Sequence, residues 1–247
     1  MSRPAAPGRA EPELIAAPGL IAAITVVTIV LTAGLFTAVA DHGALTGIQR
    51  LDDAWLRLMI SGRTPPLTAV ARVFNLLGLV YVTLPVRIAV AGFLIWRRRW
   101  WSLAAFVTAI ALSELLIGLL KGIYGRARPP ASLVATTGAS FPSGHAIAAS
   151  VTAVAAVIVL VPAGRRAWWA VAAVAFSVLM GLSRAYLGAH WLSDAVAGTL
   201  LGTSCALLAA VAVGALQRRV RRPPPVMAPH PAGAWPSEQA GPRRGPP

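Results

Sequence analysis

The chain has 247 residues, 57% hydrophobic and 12% charged, with a mean hydropathy of +0.69. A soluble domain carries about 25% charged residues, so this composition points to a polytopic membrane protein. The net charge of +14 would suit nucleic acid, but most basic residues flank apolar segments, as membrane topology requires, and no nucleic-acid partner is expected.

Residues 1–13 are polar and rich in Pro and Ala, and read as a disordered amino terminus. Six apolar runs follow, near 20–40, 76–96, 101–120, 146–161, 167–182 and 195–216. A helix needs about 20 residues to span the hydrocarbon core, with a range of about 17 to 25. The expected fold is therefore an all-α bundle of six transmembrane helices, occupying residues 14–220. The fourth and fifth runs are short and carry polar motifs at their outer ends, which sets the site slightly below the membrane surface. Ala38-Val39-Ala40 resembles a signal-peptide cleavage site. The first run, however, is longer than the 7 to 15 or so apolar residues of a signal peptide, so an uncleaved anchor is expected. Between runs one and two, Ile48, Leu51, Trp55, Leu58 and Met59 share a helical face. Such a helix either lies on the outer leaflet and guides a lipid to the site, or packs on the bundle. Residues 221–247 are Pro-rich and aperiodic, and read as a disordered cytoplasmic tail.

Arginine sets the orientation. Arg97-Arg98-Arg99 lies between runs two and three, Arg165-Arg166 between four and five, and Arg218, Arg219, Arg221 and Arg222 follow run six. With six spans these clusters share one side with Arg3 and Arg9, and the positive-inside rule makes that side cytoplasmic. The protein is thus expected in the cell membrane with cytoplasmic termini. Three polar stretches then fall on the extracytoplasmic side. They are Lys121-Gly-Ile-Tyr-Gly-Arg126-Ala-Arg128-Pro129, Pro142-Ser143-Gly144-His145, and Ser183-Arg184 with His190 and Asp194.

Ionisable groups at membrane depth are costly, and their clustering points to chemistry. There is one cysteine, Cys205, so no intrachain disulfide is expected. The eight acidic residues form no cluster suited to a pair of metal ions, and Asp52-Asp53, the one adjacent pair, is far in sequence from the histidines. What remains is equipment for a phosphate handled without metal or other cofactor. Arg128 and Arg184 offer planar forks for two phosphate oxygens each. Lys121 offers a compact charge, and it is the one lysine among 22 Lys and Arg residues, which argues for a specific fit over snorkelling from a helix end. Pro142–His145 precedes run four, where a helix amino terminus suits an anion. Gly144 lets the backbone approach closely, and Ser143 can donate its hydroxyl. A plain N-cap would explain those two residues equally well, but a cap needs no histidine. His190 and Asp194 share a helical face, and a carboxylate accepting Nδ1–H would leave Nε2 free to attack. Glu114 either supports Lys121 or bonds Ser113 or Arg87. Arg126 is either a phosphate contact or a solvated neighbour. His42 and His230 read as bystanders.

Lys121, Arg128 and Pro129 fit KxxxxxxRP, residues 142–145 fit PSGH, and Ser183, Arg184, His190 and Asp194 fit SRxxxxxHxxxD. Over about 45–215 the chain resembles the type 2 phosphatidic acid phosphatase family of integral membrane lipid phosphatases. Its wider superfamily includes bacterial acid phosphatases and vanadium haloperoxidases. The triple motif in this order is highly specific, whereas any one piece is weak. The resemblance implies six membrane helices and metal-independent hydrolysis of a lipid phosphate or diphosphate. It assigns His190 as the nucleophile that becomes phosphohistidine, and Asp194 as the group that orients and polarises it. His145 becomes the acid for the departing lipid oxygen and then the base for water. Lys121, Arg128, Ser143, Gly144 and Arg184 become phosphate ligands. Diphosphatases of the bacterial polyprenyl carrier resemble PSDH at the second motif, and Gly144 departs from that. Phosphatidate, phosphatidylglycerol phosphate and polyprenyl diphosphate all stay open as substrates. Two other readings exist: a non-catalytic lipid-binding or transport protein on the same scaffold, and a vanadate-dependent haloperoxidase. The intact histidines weigh against the first, and the six apolar runs against the second.

Overall fold

The computed structural model describes residues 11–15 and 17–221, leaving aside the side chain of His42. The expectations for residues 1–10 and 222–247 lie outside the described residues. Helices make up the architecture, with no strand among the described residues. They are α1 (Pro18–Ala40), α2 (His42–Ser61), α3 (Pro65–Leu77), α4 (Val80–Trp96), α5 (Trp100–Tyr124), α6 (Gly144–Leu160), α7 (Arg166–Tyr186) and α8 (Leu192–Arg221), with a 3-10 turn at Ala163–Arg165. Four of them, α1, α5, α7 and α8, are long and apolar enough to cross a membrane, the 3-10 turn counted with α7. α3 and α4 qualify together as a fifth, bent by 52°. α6, with 17 residues, is shorter.

The second apolar run is thus divided. Its first residues belong to α3, which the sequence reading missed as a separate helix. The start signal was present, since Pro65 and Pro66 occupy the first turn, where a missing N–H costs nothing. The carboxy-terminal cap falls at Gly78.

α8 is the axis of the bundle and packs against α1, α5, α6 and α7. Its buried positions are mostly small: Ala197, Gly198, Gly202, Ser204, Cys205, Ala206, Ala209 and Ala210. Large apolar side chains such as Leu20, Val30, Val107, Leu115 and Val171 point outward instead. This inversion suits a lipid solvent, in which close backbone approach, rather than burial of leucine, holds helices together. At the α6–α8 crossing, a Cβ on Gly198 would lie 2.6 Å from Ser143 O. One on Gly202 would overlap Ser150 Oγ and lie 2.5 Å from Ile147 O.

Exposed tryptophans ring one end of the bundle beside the arginine clusters: Trp96, Trp100, Trp168 and Trp169. At the same end, residues 11–15 tie three helices together. The Glu11 carboxylate accepts from the backbone N–H groups of Trp101 and Ser102, where α5 begins. Leu14 N–H donates to Gln217 of α8, and Arg166 of α7 donates to Leu14 O. The polar stretch expected to be disordered over 1–13 therefore has its last residues, from Glu11, bonded to the bundle.

α2 is capped by Asp41, whose carboxylate accepts from Ala44 N–H. Of the two expected placements of its apolar face, the exposed leucines suit the one against lipid. Leu51 and Leu58 point outward at 70% and 57% exposure, while Asp52 is turned inward at 2%. Leucines facing out suit a helix lying against lipid, and the buried carboxylate needs a partner inside.

The glycine crossing gives a direct test. Gly202→Val should overpack α6 against α8 and destabilise the bundle by about 1–3 kcal/mol. Its thermal midpoint in detergent should fall, whereas Gly118→Val, at a glycine whose added Cβ meets no atom within 4 Å, should leave it unchanged.

Candidate active site

α5 ends at Tyr124 because Gly125 takes a left-handed turn, with φ of 51°. Lys121 sits in that last turn, and the following segment, residues 125–143, crosses the end of the bundle opposite the arginine clusters. It is pinned by Ser140 N–H to Arg126 O at 2.8 Å and by Leu133 N–H to Leu187 O at 2.8 Å. The second motif then starts α6. Ser143 is its N-cap, fully buried, accepting from Ala146 N–H at a long 3.5 Å. Ser143 N–H donates to Asp194 O, joining the second motif to the third. A Cβ on Gly144 would meet no atom of the protein within 4 Å, so protein packing does not demand that glycine.

The three motifs meet here. Lys121 has Arg128, Arg184 and Asp194 as its charged neighbours, and His145 has Arg184, His190 and Arg128. Arg184 and His190 are each 3% exposed, and Asp194 is 0% exposed. Ser183, part of the third motif, donates to Met180 O within α7.

His190 shows its tautomer. Nδ1 is 2.8 Å from Ser140 O, which can only accept, and Nε2 is 3.2 Å from Arg128 Nη1, which can only donate. The proton is therefore on Nδ1, and Nε2 carries the lone pair. Asp194 Oδ2 is 3.6 Å from Nδ1, beyond a hydrogen bond. This corrects the expectation that the Asp194 carboxylate accepts the Nδ1 proton. A backbone carbonyl does so, and Asp194 acts one bond away, accepting from the hydroxyl of that same Ser140. Burial holds the His190 imidazole down at about 4, against an opposing pull from Asp194.

Asp194 is saturated. Oδ1 accepts from Arg126 Nη1 at 2.7 Å, and Oδ2 accepts from Ser140 Oγ and from Trp191 N–H at 2.9 Å. Arg126 is thus neither a phosphate contact nor a solvated neighbour. Its other nitrogen donates to Asp52 Oδ2 at 2.8 Å and Gln49 Oε1 at 2.7 Å. Asp52 also accepts from Ser193 N–H and Oγ at the start of α8. Sequence reasoning set Asp52 aside for its distance along the chain, and the fold returns it through α2.

Arg128 differs from its expected form. Nε donates to Gly138 O, Nη1 to Ala189 O, and Nη2 to Thr137 O and Ala139 O. Lys121 Nζ also donates to Ala139 O, at 3.0 Å. Both cations therefore clasp the 137–139 loop. Arg184 is freer. Nη1 donates to Asn75 Oδ1, while Nε is buried without a protein partner, as is His145 Nε2. Glu114 belongs to another site. It pairs with Arg87 at 2.7 Å, one of its expected partners, and Arg87 Nε donates to Thr152. Among the described residues no three His, Cys, Asp or Glu side chains gather to hold a metal.

The chain is similar to known proteins over most of its helices. The sequence model of the PAP2 superfamily matches residues 102–218. Phosphatidylglycerophosphatase B of Bacillus subtilis is 30% identical over 175 residues, 68% of this chain and 85% of that protein. Lipid A 1-phosphatase of Rhizobium etli is 35% identical over 122 residues, 45% of this chain and 50% of that protein. Among solved structures, a transmembrane PAP2-type phosphatidylglycerolphosphate phosphatase of Bacillus subtilis superposes with a TM-score of 0.67 at 26% identity, over 80% of this chain and 98% of that one. The chain belongs to the PAP2 superfamily. With its apolar helices it is a multi-pass membrane protein.

Two measurements test the site. Arg126→Ala leaves Asp52 and Asp194 buried without their cation, a loss of about 3–5 kcal/mol. The thermal midpoint in detergent should fall well below that of wild type, with Arg126→Lys between the two. For His190, protonation should begin only as the pH falls toward 4. The 15N resonances of its ring, assigned by their absence in His190→Gln, should keep the neutral Nδ1–H pattern down to pH 5, where an ordinary histidine is charged.

Proposed function

We propose that this protein hydrolyses a lipid phosphate monoester or diphosphate through a phosphohistidine on His190, releasing inorganic phosphate. The observation that carries this reading is the pair of buried, unpartnered polar atoms, Arg184 Nε and His145 Nε2, beside a neutral His190 with its lone pair on Nε2. Buried polar groups without partners are rare and call for a reason. A phosphoryl group held between them supplies one.

In the first step His190 Nε2 attacks phosphorus, the bond to the lipid oxygen breaks, and His145 gives that oxygen a proton. In the second, His145 takes a proton from water, the oxygen attacks phosphorus, and the P–N bond breaks to restore His190. Charge spreads over the three equatorial oxygens in each transition state, so fixed cations do most of the work. Arg184 is already turned to the site. Lys121 keeps spare donors beyond its bond to Ala139 O, and Arg128 exchanges loop carbonyls for phosphate oxygens. Ser143 and Gly144 add the first turn of α6. Asp194 steadies His190 through Ser140. No metal is needed in this scheme, because the three cations supply the charge.

The relatives support a lipid substrate. Their names include phosphatidylglycerophosphatase, lipid A 1-phosphatase and, for a Sulfolobus acidocaldarius protein, undecaprenyl-diphosphatase. We further propose six spans, with α3 and α4 forming one bent span and α6 a short one. The arginine and tryptophan end is cytoplasmic and the site extracytoplasmic.

Purified protein in detergent with excess chelator should release phosphate from at least one member of a lipid phosphate panel, and His190→Ala should release none. A folded wild type that is inactive on the whole panel contradicts the reading. For orientation, Leu133→Cys in a Cys205→Ser background should be labelled by an impermeant maleimide added to intact cells. Labelling only after lysis reverses the proposed topology.

A further inference from the structure

Three motifs carry the reading above, and α3 belongs to none of them. Its last turn, Asn75-Leu76-Leu77-Gly78, also lies outside the residues matched by the superfamily model, 102–218. Yet that turn touches two of the proposed site residues. Arg184 Nη1 donates to Asn75 Oδ1, and since guanidinium only donates, the oxygen of the amide must face it. The Asn75 backbone also reaches the His145 imidazole. One turn on, Gly78 packs close to that ring, and a Cβ there would overlap His145 Cδ2 and lie 3.0 Å from Cγ.

We infer that Asn75 is a positioning residue, which fixes the Arg184 guanidinium in the anion site while leaving its charge uncompensated. This rests on the phosphatase reading. Arg184 is 3% exposed and comes from the last turn of α7, so water cannot hold it in one orientation. A carboxylate in the position of Asn75 would hold it equally well but would cancel the charge the phosphoryl group needs. A neutral amide fixes one edge of the fork and spends only Nη1. Nε, buried and without a protein partner, stays available to an anion. Asp194, the carboxylate of the site, is instead paired with Arg126. Gly78 completes the device by letting the same turn back the ring of His145, so that the phosphate clamp and the proton donor are referenced to one rigid element.

The test uses full-length protein in detergent, with orthovanadate as the probe, since it reports the anion site without turnover. Wild type should bind it. Asn75→Ala should weaken binding about tenfold, the effect of losing one charge-assisted bond. Asn75→Asp is the decisive variant. It keeps size and hydrogen bond, so a purely structural role predicts wild-type affinity and an unchanged thermal midpoint. The inference predicts an unchanged or raised midpoint with affinity reduced at least as far as in Asn75→Ala. It also predicts that Asn75→Asp has no further effect once Arg184 is Ala. Wild-type affinity in Asn75→Asp, or an equal loss in the Arg184→Ala background, overturns the inference and leaves the phosphatase reading standing. A folded wild type that neither binds vanadate nor releases phosphate overturns both.

Discussion

The arrangement depends on one guanidinium shared between two buried carboxylates. Arg126 spans from Asp52 on α2 to Asp194 on α8, and neither acid is more than 2% exposed. Burying a lone carboxylate at this depth is prohibitive, so all three groups must be placed together or not at all. Once they are, much follows. The 125–143 segment is anchored at its start, α2 is drawn in against α8, and Asp194 is aligned to hold Ser140. Ser140 in turn holds the Nδ1 proton of His190.

Arg126 with its two carboxylates carries one net negative charge, and the cations around it outweigh that charge. Lys121, Arg128 and Arg184 share the site, and the nearest carboxylate, Asp194, is committed to Arg126. The excess positive charge sits on side chains restrained by neutral acceptors: the carbonyls of Thr137, Gly138 and Ala139 for Arg128, Ala139 O for Lys121, and the Asn75 amide for Arg184. Neutral restraint preserves the potential that an anion will meet. The small residues of the α6–α8 crossing serve the same end, since Gly198 and Gly202 let the first turn of α6 come within bonding distance of Asp194 O.

Much of this was legible in the sequence, for a physical reason. Groups that must be charged, nucleophilic or proton-transferring at membrane depth have few substitutes, so Lys121, Arg128, His145, Arg184, His190 and Asp194 stand out against an apolar chain. The structure brings all six together. The supports were hidden because they work by long-range contact and ordinary chemistry. Ser140 acts through its backbone carbonyl, which any residue has. Asp52 is far in sequence from the histidines, and only the packing of α2 turns it toward them. Asn75 and Gly78 sit in a run whose apolar residues merge with the next helix. The sequence leaves Ser113, Arg87 and Lys121 open as partners of Glu114, and the packing of α4 against α5 selects Arg87.

The central claim is that His190 attacks through Nε2 while Nδ1 stays bonded to Ser140. It is tested most directly by trapping the intermediate: mixing enzyme with substrate, quenching in alkali within one turnover, and mapping the phosphoryl group by mass spectrometry. The account predicts phosphate on His190, with the isomer identified as the Nε2 form against standards. Phosphate on His145, or on Nδ1 of His190, would contradict it.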